Sequence, residues 1–219
     1  MTTLLSDTFD RANSTTTVGA PQIGPSPTVL TGTWGINTNN LYAPTLTNVE
    51  AVIAWGLGAA NVEVSLVRAT NSSTGGPMVC ASSATDFYYL ETNGSTINLS
   101  QRTPGGVVIL AQTGGPTFVV GDTWTLSHNA GWLRASVNGN QVIRYKLPAP
   151  LTATQHGVRA TATNIRFDNI VVTDTPPAVP SGNTGGFRSV DRFPTTRTVG
   201  TGFIYRGRDT KALDTTGVA

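Results

Sequence analysis

The chain has 219 residues, 38% of them hydrophobic and only 12% charged, with 24 Gly and 13 Pro; this is enough for one sizeable domain with an appendage, and so low a charge excludes disorder driven by charge excess. No apolar run approaches the roughly 18 residues of a membrane span, and the opening MTTLLSDTFD has neither the basic start nor the apolar stretch of a secretory signal, so the expected protein is soluble, made in the cytoplasm and not secreted by a signal peptide. The net charge of +2 is uneven: through Thr175 there are eight basic and nine acidic residues, and afterwards Arg188, Arg192, Arg197, Arg206, Arg208 and Lys211 stand against Asp191, Asp209 and Asp214.

Cations spaced singly among acids and threonines make a poor phosphate-binding stripe, so nucleic acid is not an expected partner. The single cysteine, Cys80, lies in the apolar run Pro-Met-Val-Cys-Ala. It leaves no internal disulfide or cysteine metal cluster and reads as a buried thiol.

Apolar residues never recur at three-and-four spacing over a dozen positions, which excludes long amphipathic helices. Short alternating or β-branched runs predict strands, in chain order, at 4–9, 32–37, 40–44, 50–55, 61–69, 78–81, 87–92, 96–102, 107–112, 123–129, 132–137, 141–146, 157–162 and 165–173. So many short strands punctuated by Gly, Asn and Pro predict an all-β fold, a two-sheet antiparallel sandwich. In the 61–69 strand Val62, Val64 and Leu66 point one way and Glu63, Ser65 and Val67 the other, as a sheet with one wet face requires. Asn138-Gly139 tolerates positive φ and predicts a tight hairpin turn. With a two-residue loop, that turn sets Trp132 opposite Tyr145, on the face of Arg134 and Ile143.

The strand series ends in Asp174-Thr175-Pro176-Pro177. The sandwich is therefore expected over 1–175, a Pro/Gly linker over 176–186 and an extended arm over 187–219. Phe187, Phe193, Phe203 and Tyr205, spread among Arg192, Arg206, Arg208 and threonines, are too few to close a core alone. The arm is expected to order against another subunit, since extended segments gain affinity through main-chain hydrogen bonds.

Little catalytic chemistry is legible. A glycan-cleaving sandwich needs two converging carboxylates, and the three glutamates, Glu50, Glu63 and Glu91, fall in different strands. Asp7 and Asp10, three apart, would face opposite ways in a strand. His128 and His156 lack ligand-spaced partners and read as structural. The aromatics say more, because a sugar stacks on a flat ring flanked by hydrogen-bonding groups. Trp34, Trp55 and Trp124 read as core. Trp132 and Tyr145, with Arg134, and one of the adjacent Tyr88 and Tyr89 are the carbohydrate-binding candidates, since neighbours in a strand face opposite ways.

Several segments together resemble a known family: Phe9-Asp10-Arg11-Ala12-Asn13-Ser14, Gly32-Thr33-Trp34-Gly35-Ile36 with Asn40-Leu41-Tyr42, Gly121-Asp122-Thr123-Trp124-Thr125-Leu126, the Val137-Asn138-Gly139 hairpin, and Arg166-Phe167-Asp168-Asn169-Ile170-Val171-Val172. They are similar to concanavalin A-like (laminin G-like) jelly-roll domains over about residues 4–174, and the Phe-Asp-Arg-Ala opening to those in actinobacteriophage minor tail and other virion structural proteins. The resemblance implies two sheets with first and last strands adjacent. It also implies a structural calcium ion in some relatives, held by a last-strand aspartate at the position of Asp168 together with backbone carbonyls, for which a salt bridge or turn bond is an equal reading. The paired-glutamate motif of glucanase relatives is missing. The expected function is thus a non-enzymatic virion component, of tail or capsid surface, anchored to other virion subunits through its arm. The alternative is a carbohydrate-binding module for host cell-wall glycans. Low charge also suits packing beside copies of itself, and homo-oligomers are compatible with either reading.

Overall fold

In the computed structural model the described residues are 1–70, 75–92, 95–114 and 119–175. The linker and arm, with Phe187, Arg192, Phe193, Phe203, Tyr205, Arg206 and Arg208, lie outside them. The strands are β1 (Thr3–Asp7), β2 (Thr28–Thr31), β3 (Thr33–Ile36), β4 (Leu41–Thr45), β5 (Ala51–Gly56), β6 (Val62–Arg68), β7 (Gly75–Ser83), β8 (Asp86–Thr92), β9 (Thr96–Thr103), β10 (Gly106–Gly114), β11 (Thr123–Asn129), β12 (Trp132–Val137), β13 (Asn140–Lys146), β14 (Gln155–Ala160) and β15 (Arg166–Asp174).

The first sheet runs β13-β12-β11-β6-β15-β4-β3, with β1 also on β15; the second runs β10-β9-β8-β7-β14-β5-β2. This is a two-sheet antiparallel jelly-roll sandwich. Late strands fill the middle of each sheet, β15 between β6 and β4 and β14 between β7 and β5, so neither sheet can close until the last third of this domain arrives. Gly157 on β14 lies so close to β5 that a Cβ there would sit 2.0 Å from the Ile53 carbonyl oxygen, and no larger residue fits that crossing.

The core between the sheets holds Trp34, Trp55 and Trp124, all without exposed surface, among Leu, Ile and Val. Strand β6 alternates as its sequence predicts, with Val62, Val64 and Leu66 buried. Arg68 continues the core-facing row, its guanidinium 5.1 Å from the Trp124 ring centre. Burial there pulls its pKa down to about 10 against the pull of Asp122. At one edge, β10 leaves Val107, Val108 and Ile109 about half exposed, an uncharged rim of the kind that pairs with other strands.

Three local expectations change. The 28–31 segment, hidden behind Pro25 and Pro27, forms edge strand β2 beside β5. Strand β1 stops at Asp7 because Phe9 takes a φ of 56°. The hairpin turn at Asn138 (φ 51°) and Gly139 (φ 81°) forms as predicted, but a bulge in β13 moves the register from Ser136 opposite Gln141 to Ala135 opposite Ile143. One extra residue flips every later side chain. Trp132 therefore faces Lys146, not Tyr145, and Tyr145 stands opposite Leu133 on the core side with Ile143.

Candidate functional site

The sequence candidates separate into three places. The first is a cleft of about 280 Å³ at the rim of the sandwich, lined by Tyr88, Asp86, Gln101, Ser82, Cys80 and the 150–153 segment. Tyr88 stands opposite Gln101 across β8 and β9. Cys80, at a φ of 55°, interrupts the β7–β8 ladder between Val79 and Ser83 and opens the strand end. The bulge is pinned from behind: the Cys80 N–H donates to Nδ1 of His156 (3.1 Å), whose Nε2 therefore carries the proton and donates to the Ala59 carbonyl (2.7 Å). Ser82 donates to Asp86 at 2.6 Å.

Tyr88 is half-buried against the core. Burial first, then Asp86, Cys80 and Tyr145, push its hydroxyl pKa up, so it stays a neutral donor. Burial pushes the Cys80 thiol to about 12, which makes it inert, as its sequence context predicts. A partly exposed ring beside a carboxylate, an amide and a hydroxyl offers a hydroxyl-rich ligand an apolar platform with orienting hydrogen bonds.

The second place is the outer face of the first sheet. Asn129, Trp132 and Lys146 form one row across β11, β12 and β13, and Glu63, Ser127, Arg134 and Arg144 form the next from β6. Trp132 is half-buried. The Arg144 guanidinium stacks 4.0 Å from its ring centre and the Lys146 ammonium lies 5.7 Å away. The indole is thus a base plate for a cation rather than a bare platform for a sugar.

The third place is the far face of the second sheet, where Tyr89 packs with Phe87, Met78, Val52 and Ala54. Tyr89 has no exposed surface, and burial pushes its hydroxyl pKa to about 12; it is withdrawn as a sugar platform. Of the two tyrosines, the one expected to be wet proved to be Tyr88. On the same face, carboxylates read as separate in the sequence converge: Arg159 Nε donates to Glu50 (2.8 Å), its NH1 to Glu91 (3.0 Å), and Arg102 donates to the other Glu50 oxygen (2.9 Å). The Arg159 guanidinium covers the Tyr89 ring at 4.2 Å. Two carboxylates bridged by a guanidinium form a lock, because glycoside hydrolysis needs one of them protonated and turned to substrate. Alternation across strands hides such convergence; β14 brings Arg159 between them.

His128 is also structural: Nδ1 contacts the Ala60 carbonyl (2.8 Å) while the N–H groups of Gly131 and Leu151 donate to Nε2. The Asp168 carboxylate accepts from the backbone and side-chain amides of Asn169, which is a turn bond. Burial, then the neighbouring Asp10 and Asp7, push its pKa up. Among the described residues no three His, Cys, Asp or Glu side chains converge to hold a metal.

An all-β jelly roll with an aromatic rim cleft and a basic outer face is the class of protein this chain defines. No protein-family model and no curated protein matches the sequence. Solved structures show the fold. The carbohydrate binding module CBM66 from Bacillus subtilis is similar with a TM-score of 0.56 at 12% identity, over 68% of this chain and 95% of that one. A Bacillus subtilis protein of unknown function with a galectin-like fold gives 0.54 at 11% identity, over 81% and 98%. A Bacillus licheniformis beta-glucanase gives 0.48 at 9% identity, over 80% and 99%. At such identities the likeness to the two Bacillus subtilis proteins is one of fold.

Proposed function

We propose that the protein is a non-catalytic carbohydrate-binding module that takes a glycan in the rim cleft at Tyr88. The observation that carries this reading is the partly exposed Tyr88 ring set among Asp86, Gln101 and Ser82. The fold it shares with a carbohydrate binding module, matched over 95% of that module's length, supports it. Host cell-wall glycans are the expected ligand class. Tyr88→Ala should weaken binding to a neutral cell-wall polysaccharide about tenfold or more, read by affinity electrophoresis, with a cooperative thermal melt above the assay temperature as the folding control. Unchanged mobility in the variant would remove the cleft from the reading.

The resemblance of the Phe9-Asp10-Arg11 opening to virion structural proteins motivates a second reading: display on a phage tail or head surface, with the arm at 187–219 as mount to other virion subunits. The two are successive steps of one task. Homo-oligomerisation belongs to the same reading and would use the uncharged β10 edge. Deleting residues 181–219 should leave a sandwich with unchanged glycan binding that no longer enters particles. Incorporation at the wild-type level would overturn the mount.

A further inference from the structure

We propose that the outer face of the β12–β13 hairpin is a second binding site, specific for the carboxylate or phosphate groups of an acidic polysaccharide, formed by Arg134, Arg144 and Lys146 on the Trp132 indole. That the anion is carried on a polysaccharide rests on the reading above; the preference for an anion does not.

Arg134 and Arg144 are direct cross-strand partners. Like charges so placed repel, and a sheet keeps them without penalty only when a counter-charge is supplied. Among the described residues Arg11, Arg102 and Arg159 form ion pairs, while Arg134, Arg144 and Lys146 reach no carboxylate. The one acid in their row, Glu63, is separated from Arg134 by the whole of β11. The sequence explains why: from 123 to 167 it contains Arg134, Arg144, Lys146, Arg159 and Arg166 but no Asp or Glu, although the described domain as a whole has more acids than bases.

The bulge in β13 matters here. It puts Arg144 and Lys146 on the face of Trp132 and Arg134 instead of opposite them. Held 4.0 Å from the indole ring centre, the Arg144 guanidinium has less freedom to lose when an oxyanion binds. Arg144 and Lys146 are exposed. Beyond Ser127, the partly exposed Thr125, Ser65 and Ser136 on the same face supply hydroxyls for a hydroxyl-rich chain. A nucleic acid would find no free aromatic face for its bases, because Arg144 covers the ring.

The test uses the full-length protein on immobilised dextran, carboxymethyl dextran, a glycerol-phosphate polymer and duplex DNA, at low and high salt. The wild type should hold the two anionic polymers in a salt-sensitive way; the two arms distinguish carboxylate from phosphate. The triple variant Arg134→Gln, Arg144→Gln, Lys146→Gln should lose about tenfold or more of that affinity, and Trp132→Leu a smaller share in the same direction; the triple variant should melt no lower than the wild type, because Arg144 and Lys146 are exposed and Arg134 partly so. Tyr88→Ala should leave anionic binding intact, so failure of the cleft and failure of this site are separable. Equal affinity in the triple variant, absence of binding to both anionic polymers, or binding of DNA as tight as theirs would each overturn the proposal.

Discussion

Arg159→Ala is expected to cost about 3–5 kcal/mol of folding stability, the range for removing one partner of a buried ion pair. Arg159 is almost fully buried and binds Glu50 and Glu91 at once, while its guanidinium lies on the Tyr89 ring. Alanine would leave Glu91 without its cation, Glu50 with Arg102 alone, and a void over the ring. Burial already raises the Glu91 pKa even with Arg159 present, which shows how poorly that site solvates a charge. In a domain of this size the loss corresponds to a fall in Tm of roughly 10 °C. Arg159→Lys should recover part of it, since an ammonium can satisfy one carboxylate but not fork to two. Urea titration of the three proteins measures the effect, and a cost below about 1 kcal/mol would mean that the network behaves as a surface ion pair.

The second large effect is loss of stability in mild acid. His156 has no exposed surface and uses both ring nitrogens, accepting from Cys80 and contacting the Ala59 carbonyl. A proton on Nδ1 would set N–H against N–H. Burial pulls its pKa from 6.5 to about 4, and burial lowers that of His128 as well. The unfolded chain therefore binds the proton more readily than the folded one. Stability from His156 is complete above about pH 6.5 and is lost as the pH falls toward 4, by about 3 kcal/mol in all. Glu91 and Asp168, whose carboxyl groups are raised, act with the opposite sign in the acid range. Urea midpoints at pH 7.5, 6 and 5 should fall steadily for the wild type. His156→Gln, less stable at neutral pH, should show a flatter profile, and parallel profiles would sink this assignment.

How much of this was legible in the residues depends on how local the cause was. The sandwich, the alternation of β6, the Asn138-Gly139 turn and the burial of Trp34, Trp55, Trp124 and Cys80 follow from period, propensity and turn chemistry, each written within a few residues. Strand β2 was not legible, because four residues behind two prolines carry no periodic signal and become a strand only when β5 offers an edge. The candidate aromatics fall into other groups than their spacing suggested. Trp132 and Tyr145 read as cross-strand partners, and a single bulge sends them to opposite faces; Tyr88 and Tyr89 had to part, but which would be wet depended on what each face packs against.

The charges make the same point. The acid-free stretch from 123 to 167 stands in the sequence for anyone counting, yet only the hairpin register turns three of its cations into one patch. The opposite holds on the second sheet, where glutamates remote in the chain meet at Arg159. By itself the sequence determined the all-β class, the two-sheet architecture and the absence of a catalytic signature in its spacing, because strand period and turn preference are local energies. Only the tertiary structure decided which side chains share a face, since that depends on strand order and on registers that one extra residue can shift.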